Sequence, residues 1–83
     1  MDRNEILNKL REIFSDKLKI VSNPEMVNES TNLSTDYNID SMKVISLIVE
    51  LEELFGISID SEDITIETLT EVGKLITFIE NGK

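Results

Sequence analysis

The sequence predicts an all-α fold: a small four-helix bundle of three longer helices and one short one, with a long loop after the first helix. Three observations carry this. Apolar residues recur at helical spacing in three separate stretches, 6–14, 44–55 and 72–79. The one stretch that alternates like a strand, "ISIDSEDI" at 57–64, has no second strand to pair with and reads as an extended connector. A chain of 83 residues also allows a single domain, 1–83, around one modest core.

The first helix is expected at about 3–16, running on at most to Lys19. Ile6, Leu7, Leu10, Ile13 and Phe14 give its buried stripe, and Asp2 caps it with Glu5 three residues later. Residues 22–40, "SNPEMVNESTNLSTDYNID", are rich in side chains that bond locally to backbone and favour turns. A loop this long in so small a domain points to a function. Met26, Val27, Leu33, Tyr37 and Ile39 punctuate it, and some of them should pin it to the core.

The second helix is expected at 41–55, capped by Asp40 or Ser41 and ended by Gly56 at C′. Val44, Leu47, Ile48, Leu51 and Phe55 form its core stripe. Met42, Ser46, Val49 and Glu53 form another, with Ile45 at its edge. Apolar residues on that second stripe need cover, from a neighbouring element or from a partner. "SEDITIETL" carries the short helix. Thr70 then caps a last helix over 71–81, with Val72, Leu75, Ile76 and Ile79 inward and Gly82 at its end.

Composition excludes several classes of function. There is no cysteine, hence no disulfide framework and no thiolate metal site, which fits a cytoplasmic protein. The N-terminal stretch is charged throughout and is no signal peptide, and no apolar run is long enough to span a bilayer. The net charge of −9 is uneven: residues 1–19 carry +1 and residues 20–73 carry −11. Such a field repels nucleic acid and anionic membranes and favours a partner with a basic surface.

Ser41 opens the second helix, and three roles compete for it. A catalytic nucleophile needs a base, and the chain has no histidine; Lys43 on an open helix end is a poor substitute. No catalytic residue is therefore expected. A helix cap is the plainest role, and on spacing alone it outweighs the others. The third role is an attachment point: a phosphate esterified to a serine there would sit beside free backbone N–H groups and the positive end of the helix dipole.

"IDSMKVISLIVELEELFGISI" at 39–59 resembles the signature of the acyl carrier proteins and the related peptidyl carriers. Asp40-Ser41-Met42 stands where that family has Asp-Ser-Leu, and Leu51-Glu52-Glu53-Leu54-Phe55-Gly56-Ile57 matches its second block. "TNLSTDYNIDS" and "ITIETLTEVGKLITFI" extend the likeness upstream and downstream, so that all but the first helix is covered. The resemblance implies a carrier and not an enzyme. Ser41 would receive 4′-phosphopantetheine from coenzyme A, through a separate phosphopantetheinyl transferase. The arm's thiol would hold an acyl or aminoacyl group as a thioester, for fatty-acid, polyketide or nonribosomal-peptide-type synthesis. The working thiol is thus borrowed. Met42, Ile45 and Val49 would meet loading and condensing enzymes, and Asp40, Glu52 and Glu53 their basic residues. A monomer is expected.

The chain departs from that pattern at named positions. Met42 replaces the usual Leu with little change in volume. Asn38 stands where Gly or a small residue is common, and Asn tolerates positive φ. Lys43 and Ser46 stand where carriers of housekeeping fatty-acid synthesis often have acids. These last two, with "EDITIETLTEV", tip the expectation toward a stand-alone carrier of a polyketide, peptide or other specialised pathway, with housekeeping fatty-acid synthesis close behind. The rival reading is an unmodified acidic helical interaction module. A calcium loop at 60–71 is disfavoured, because its sixth position is Thr65 where a glycine is needed; no metal site is expected.

Overall fold

A computed structural model describes residues 2–60 and 64–81. It contains five α-helices: α1 (Arg3–Glu12), α2 (Leu33–Asp36), α3 (Ser41–Phe55), α4 (Ile66–Thr70) and α5 (Val72–Asn81). Three are long, as the all-α bundle requires, and no strand occurs among the described residues. The bundle measures 29 × 27 × 20 Å.

α1 starts as its sequence dictates: Asp2 takes the N-cap, and its side chain accepts the Glu5 amide at 2.8 Å. Beyond Glu12 the helix continues as a π-helical turn, Ile13–Lys17, closed by a bond from the Leu18 amide to the Ile13 carbonyl. The wider turn keeps Ile13, Phe14 and Leu18 all in the core. Lys19 then adopts a left-handed φ of 55°, and the Ile20 and Val21 amides both return to the Phe14 carbonyl. That is a C-terminal closure of the kind glycine usually provides, made here at a non-glycine residue.

The long loop is more structured than its composition suggests. Pro24–Met26 forms a 3-10 turn, and α2 is capped by Asn32, whose side chain accepts the Ser34 and Thr35 amides. Of the five expected anchors, Val27 and Leu33 are fully buried, Tyr37 and Ile39 are half-buried, and Met26 stands exposed. Arg11 holds the loop from outside by two bonds to the Val27 carbonyl, at 2.9 and 2.7 Å.

The loop also closes the start of α5. The Val72 amide donates to Thr31 O and the Gly73 amide to Glu29 O, both at 3.0 Å. These bonds satisfy helix-start N–H groups that would otherwise need caps. Thr70 is therefore not the cap of the last helix: it is buried, and its hydroxyl donates back into α4, to Ile66 O at 2.9 Å. Glu71, in an extended conformation, precedes α5 instead. Arg3 crosses the same junction, pairing with Glu29 and Glu80 at 2.6 Å each. Both Glu29 bonds to that guanidinium lower the carboxyl below its ordinary range.

Val44, Leu47 and Leu51 of α3 are buried, with Ile48 and Phe55 packed beside them. Gly56 ends the helix at φ 63°, ψ 38°. The connector to α4 buries Ile59 and Ile64. Thr65 caps α4, accepting the Thr68 amide. The rest of the acidic "DSED" run, at 61–63, and Gly82 lie outside the described residues.

Candidate attachment site and docking surface

Asp40, and not Ser41, is the N-cap of α3: its Oδ1 accepts the Lys43 amide at 2.9 Å, and its carbonyl accepts the Val44 amide at 3.0 Å. Upstream, Asn38 adopts the left-handed φ of 56° that its side-chain chemistry allows, which turns the chain into the cap. Ser41 is thus the first residue inside the helix, and it is exposed. Among the described residues its hydroxyl has no hydrogen-bond partner, and the Ser41 and Met42 amides donate to none. A free hydroxyl beside two free N–H groups, at the positive end of a fifteen-residue helix, is a suitable seat for a phosphodiester.

The stripe beside it is open. Met42 is 72% exposed, Ile45 60% and Val49 45%, so no neighbouring element covers them. Ser46 and Glu53 are exposed along with them. Val49 therefore lies outside the core. Glu52 is placed differently from the other expected docking residues: it is half-buried, and its Oε2 accepts the Ile59 amide at 2.8 Å, which ties the connector to the end of α3. Lys43 also turns away from the stripe. Its Nζ donates to the Leu18 carbonyl at 3.1 Å and joins the start of α3 to the end of α1. No residue pattern signals this contact, since an exposed lysine and an anchored one read alike. Leu54 was missed as well. It falls between the two stripes and stands exposed.

Among the described residues no group of His, Cys, Asp or Glu side chains could hold a metal ion, and no helix is long and apolar enough to cross a membrane.

Known proteins resemble the chain over nearly its whole length. The family model described as a phosphopantetheine attachment site matches residues 8–79. An acyl carrier protein of Thermosynechococcus vestitus is 37% identical over 81 residues, covering 98% of this chain and 95% of that one. An acyl carrier protein of Rubrobacter xylanophilus is 35% identical over 79 residues, covering 95% and 93%. The solution structure of a holo acyl carrier protein from Nitrosomonas europaea superposes with a TM-score of 0.78 at 32% identity, over 89% of this chain and 90% of that one. An acyl carrier protein from Enterococcus faecalis gives 0.76 at 32% identity, over the whole of both chains. The chain belongs to the acyl carrier protein family and is a helical carrier with a covalently bound 4′-phosphopantetheine.

Proposed function

We propose that Ser41 is the residue to which the arm is attached, and that the protein shuttles acyl or aminoacyl thioesters between separate enzymes without catalysing a step itself. The observation that carries this is the released hydroxyl of Ser41: Asp40 does the capping, so the serine has no structural task in the fold. Loading would break the phosphoanhydride of coenzyme A, join its 4′-phosphopantetheine phosphate to Ser41 Oγ and release adenosine 3′,5′-bisphosphate. The transferase supplies that chemistry. The chain supplies an exposed hydroxyl at a helix start whose dipole and free amides favour the resulting negative charge.

The uncharged face of Met42, Ile45 and Val49 would meet the transferase and the loading and condensing enzymes, with Asp40 and Glu53 steering their basic surfaces. Glu52, already bonded to Ile59, would contribute mainly by holding the helix end. The anchoring of Lys43 removes the one cation of α3 from this face. The protein works as a monomer in the cytoplasm on this reading. The test is intact mass after incubation with a phosphopantetheinyl transferase, magnesium and coenzyme A. A gain of one phosphopantetheine on the wild type and none on Ser41→Ala supports it. An equal gain on both assigns the arm elsewhere. No gain on either overturns it.

A further inference from the structure

The turn of α3 that carries Ser41 has little packing of its own. Ile39, half-buried, anchors the chain before it, and Val44 is the first buried residue of the helix. Between them Asp40, Ser41, Met42 and Lys43 are all exposed. The two bonds that Asp40 accepts, from the Lys43 and Val44 amides, stay inside the turn. Among the described residues, one hydrogen bond joins residues 40–43 to another element: Lys43 Nζ donates to the Leu18 carbonyl at 3.1 Å.

That carbonyl follows the π turn, where the helix that begins at Arg3 has run out, and no backbone amide among the described residues takes it. The ammonium fills this orphan acceptor and places positive charge at the negative end of the helix dipole. For α3 alone the same residue is a poor choice. A cation in its first turn meets the positive end of the dipole, and no acid stands in that turn to offset it. Lys43 is thus explained by its contact across to the end of α1, and not by the helix in which it stands. A first turn without buried side chains frays, because little is lost when it opens. Here opening must also break the bond to Leu18.

We infer that Lys43 is a positioning residue for the loading of Ser41. Its ammonium braces the serine-bearing turn against the end of α1. The Ser41 hydroxyl and the free Ser41 and Met42 amides are then offered to the incoming phosphate in one arrangement. Transfer to a hydroxyl needs aligned reacting atoms, and a turn that opens and closes offers that alignment for only part of the time. Lys43 points away from the open stripe of Met42, Ile45 and Val49, so the brace acts in the docked carrier as it does in the free one. The inference rests on the assignment of Ser41 above.

The test compares the wild type with Lys43→Met, which keeps the apolar stem and loses the charge, and with Lys43→Arg, which keeps a charged donor. All are measured well below their thermal midpoints. In the unmodified carriers, protection of the Val44 amide against exchange should fall roughly five-fold in Lys43→Met, beyond any change at Leu51. With the host's own phosphopantetheinyl transferase and coenzyme A, the single-turnover rate at saturating transferase should fall about five-fold, and the half-saturating concentration should change by less than about two-fold. Lys43→Arg should stand close to the wild type in both measurements. Unchanged Val44 protection in Lys43→Met shows that there is no brace. An unchanged saturating rate overturns the positioning role even where protection falls. A change confined to the half-saturating concentration makes Lys43 a docking charge and overturns it too. In these cases the wild type is loaded and the assignment of Ser41 stands. A wild type that takes no arm overturns both readings.

Discussion

Asp40 Oδ1 accepts the amide of Lys43 at 2.9 Å, and that bond divides the labour between two adjacent residues. The aspartate holds the helix start, and the serine beside it is left chemically free. The two positions should therefore separate stability from loading. Ser41→Ala should shift stability by less than about 0.5 kcal/mol, as exposed substitutions without a hydrogen bond do. It should abolish the mass gain with transferase and coenzyme A. Asp40→Ala should cost about 1 kcal/mol through the lost cap. Urea denaturation of both variants decides this: equal losses would mean that the serine shares the capping.

The two described glycines make contrasting demands. Gly56 has φ 63° and open space around a built Cβ, so Gly56→Ala measures backbone strain alone, roughly 1 kcal/mol. At Gly73 the same Cβ would lie 2.8 Å from the Glu29 carbonyl oxygen, an atom that accepts the Gly73 amide. Gly73→Ala must push the 29–31 segment off α5, with loss of a buried junction and not of a single contact. Its destabilisation should exceed that of Gly56→Ala, and amide exchange should rise at Val72 and Gly73. Equal midpoints for the two variants would show that the loop yields freely.

The acid limb of stability should depend on Arg3. Hydrogen bonds from its guanidinium, followed by charge attraction, lower the Glu29 carboxyl from its ordinary value of 4.5. Lys74 lowers Glu67 in the same way. A depressed folded-state pKa contributes stability that is present above 4.5 and lost as pH falls through the folded value. Thermal midpoints should therefore drop below about pH 4.5. In Arg3→Met the midpoint should start lower at pH 7 and fall less on acidification, because the Glu29 contribution is already gone. Both pairs are at the surface, so 1 M salt should narrow the difference. Parallel acid limbs for the two proteins would refute the linkage.

How much of this was legible in the sequence follows from the range of each interaction. The core stripes of α1, α3 and α5 are periodic, and every residue expected to be buried in α1 is. The cap of α1 and the Gly56 terminus are local chemistry and were readable. For the cap of α3 the sequence offers two adjacent residues, either of which can serve, and only backbone geometry separates them. Three-residue turns and a four-residue helix leave no period to detect, so the inner structure of the 22–40 loop was not visible. The Thr70 expectation failed because α5 is closed by carbonyls from 29 and 31, a contact some forty residues away in sequence. Glu52 and Lys43 look like surface charges by composition. Their bonds to Ile59 and Leu18 exist only once the helices are packed.

Val49 and Glu53 share the open face of α3, and they should fail in different ways when altered. Val49 is 45% exposed, so Val49→Asp should leave the thermal midpoint nearly unchanged, within about 0.5 kcal/mol of stability. It should still weaken transfer to and from partner enzymes, because docking would press a new carboxylate against an apolar surface with nothing to pair it. That loss should persist at high salt. Glu53→Lys should instead slow association at low salt and converge on the wild type as salt rises, since a charge at the rim of an interface steers more than it holds. Transfer rates for both variants at 50 mM and 500 mM salt, where the screening length is about 14 Å and about 4 Å, separate the two effects when read beside their midpoints. A sharply lowered midpoint for Val49→Asp would show that the residue supports the fold. A salt-independent loss for Glu53→Lys would show that its carboxylate is buried in the complex and bonded there, and is not a steering charge.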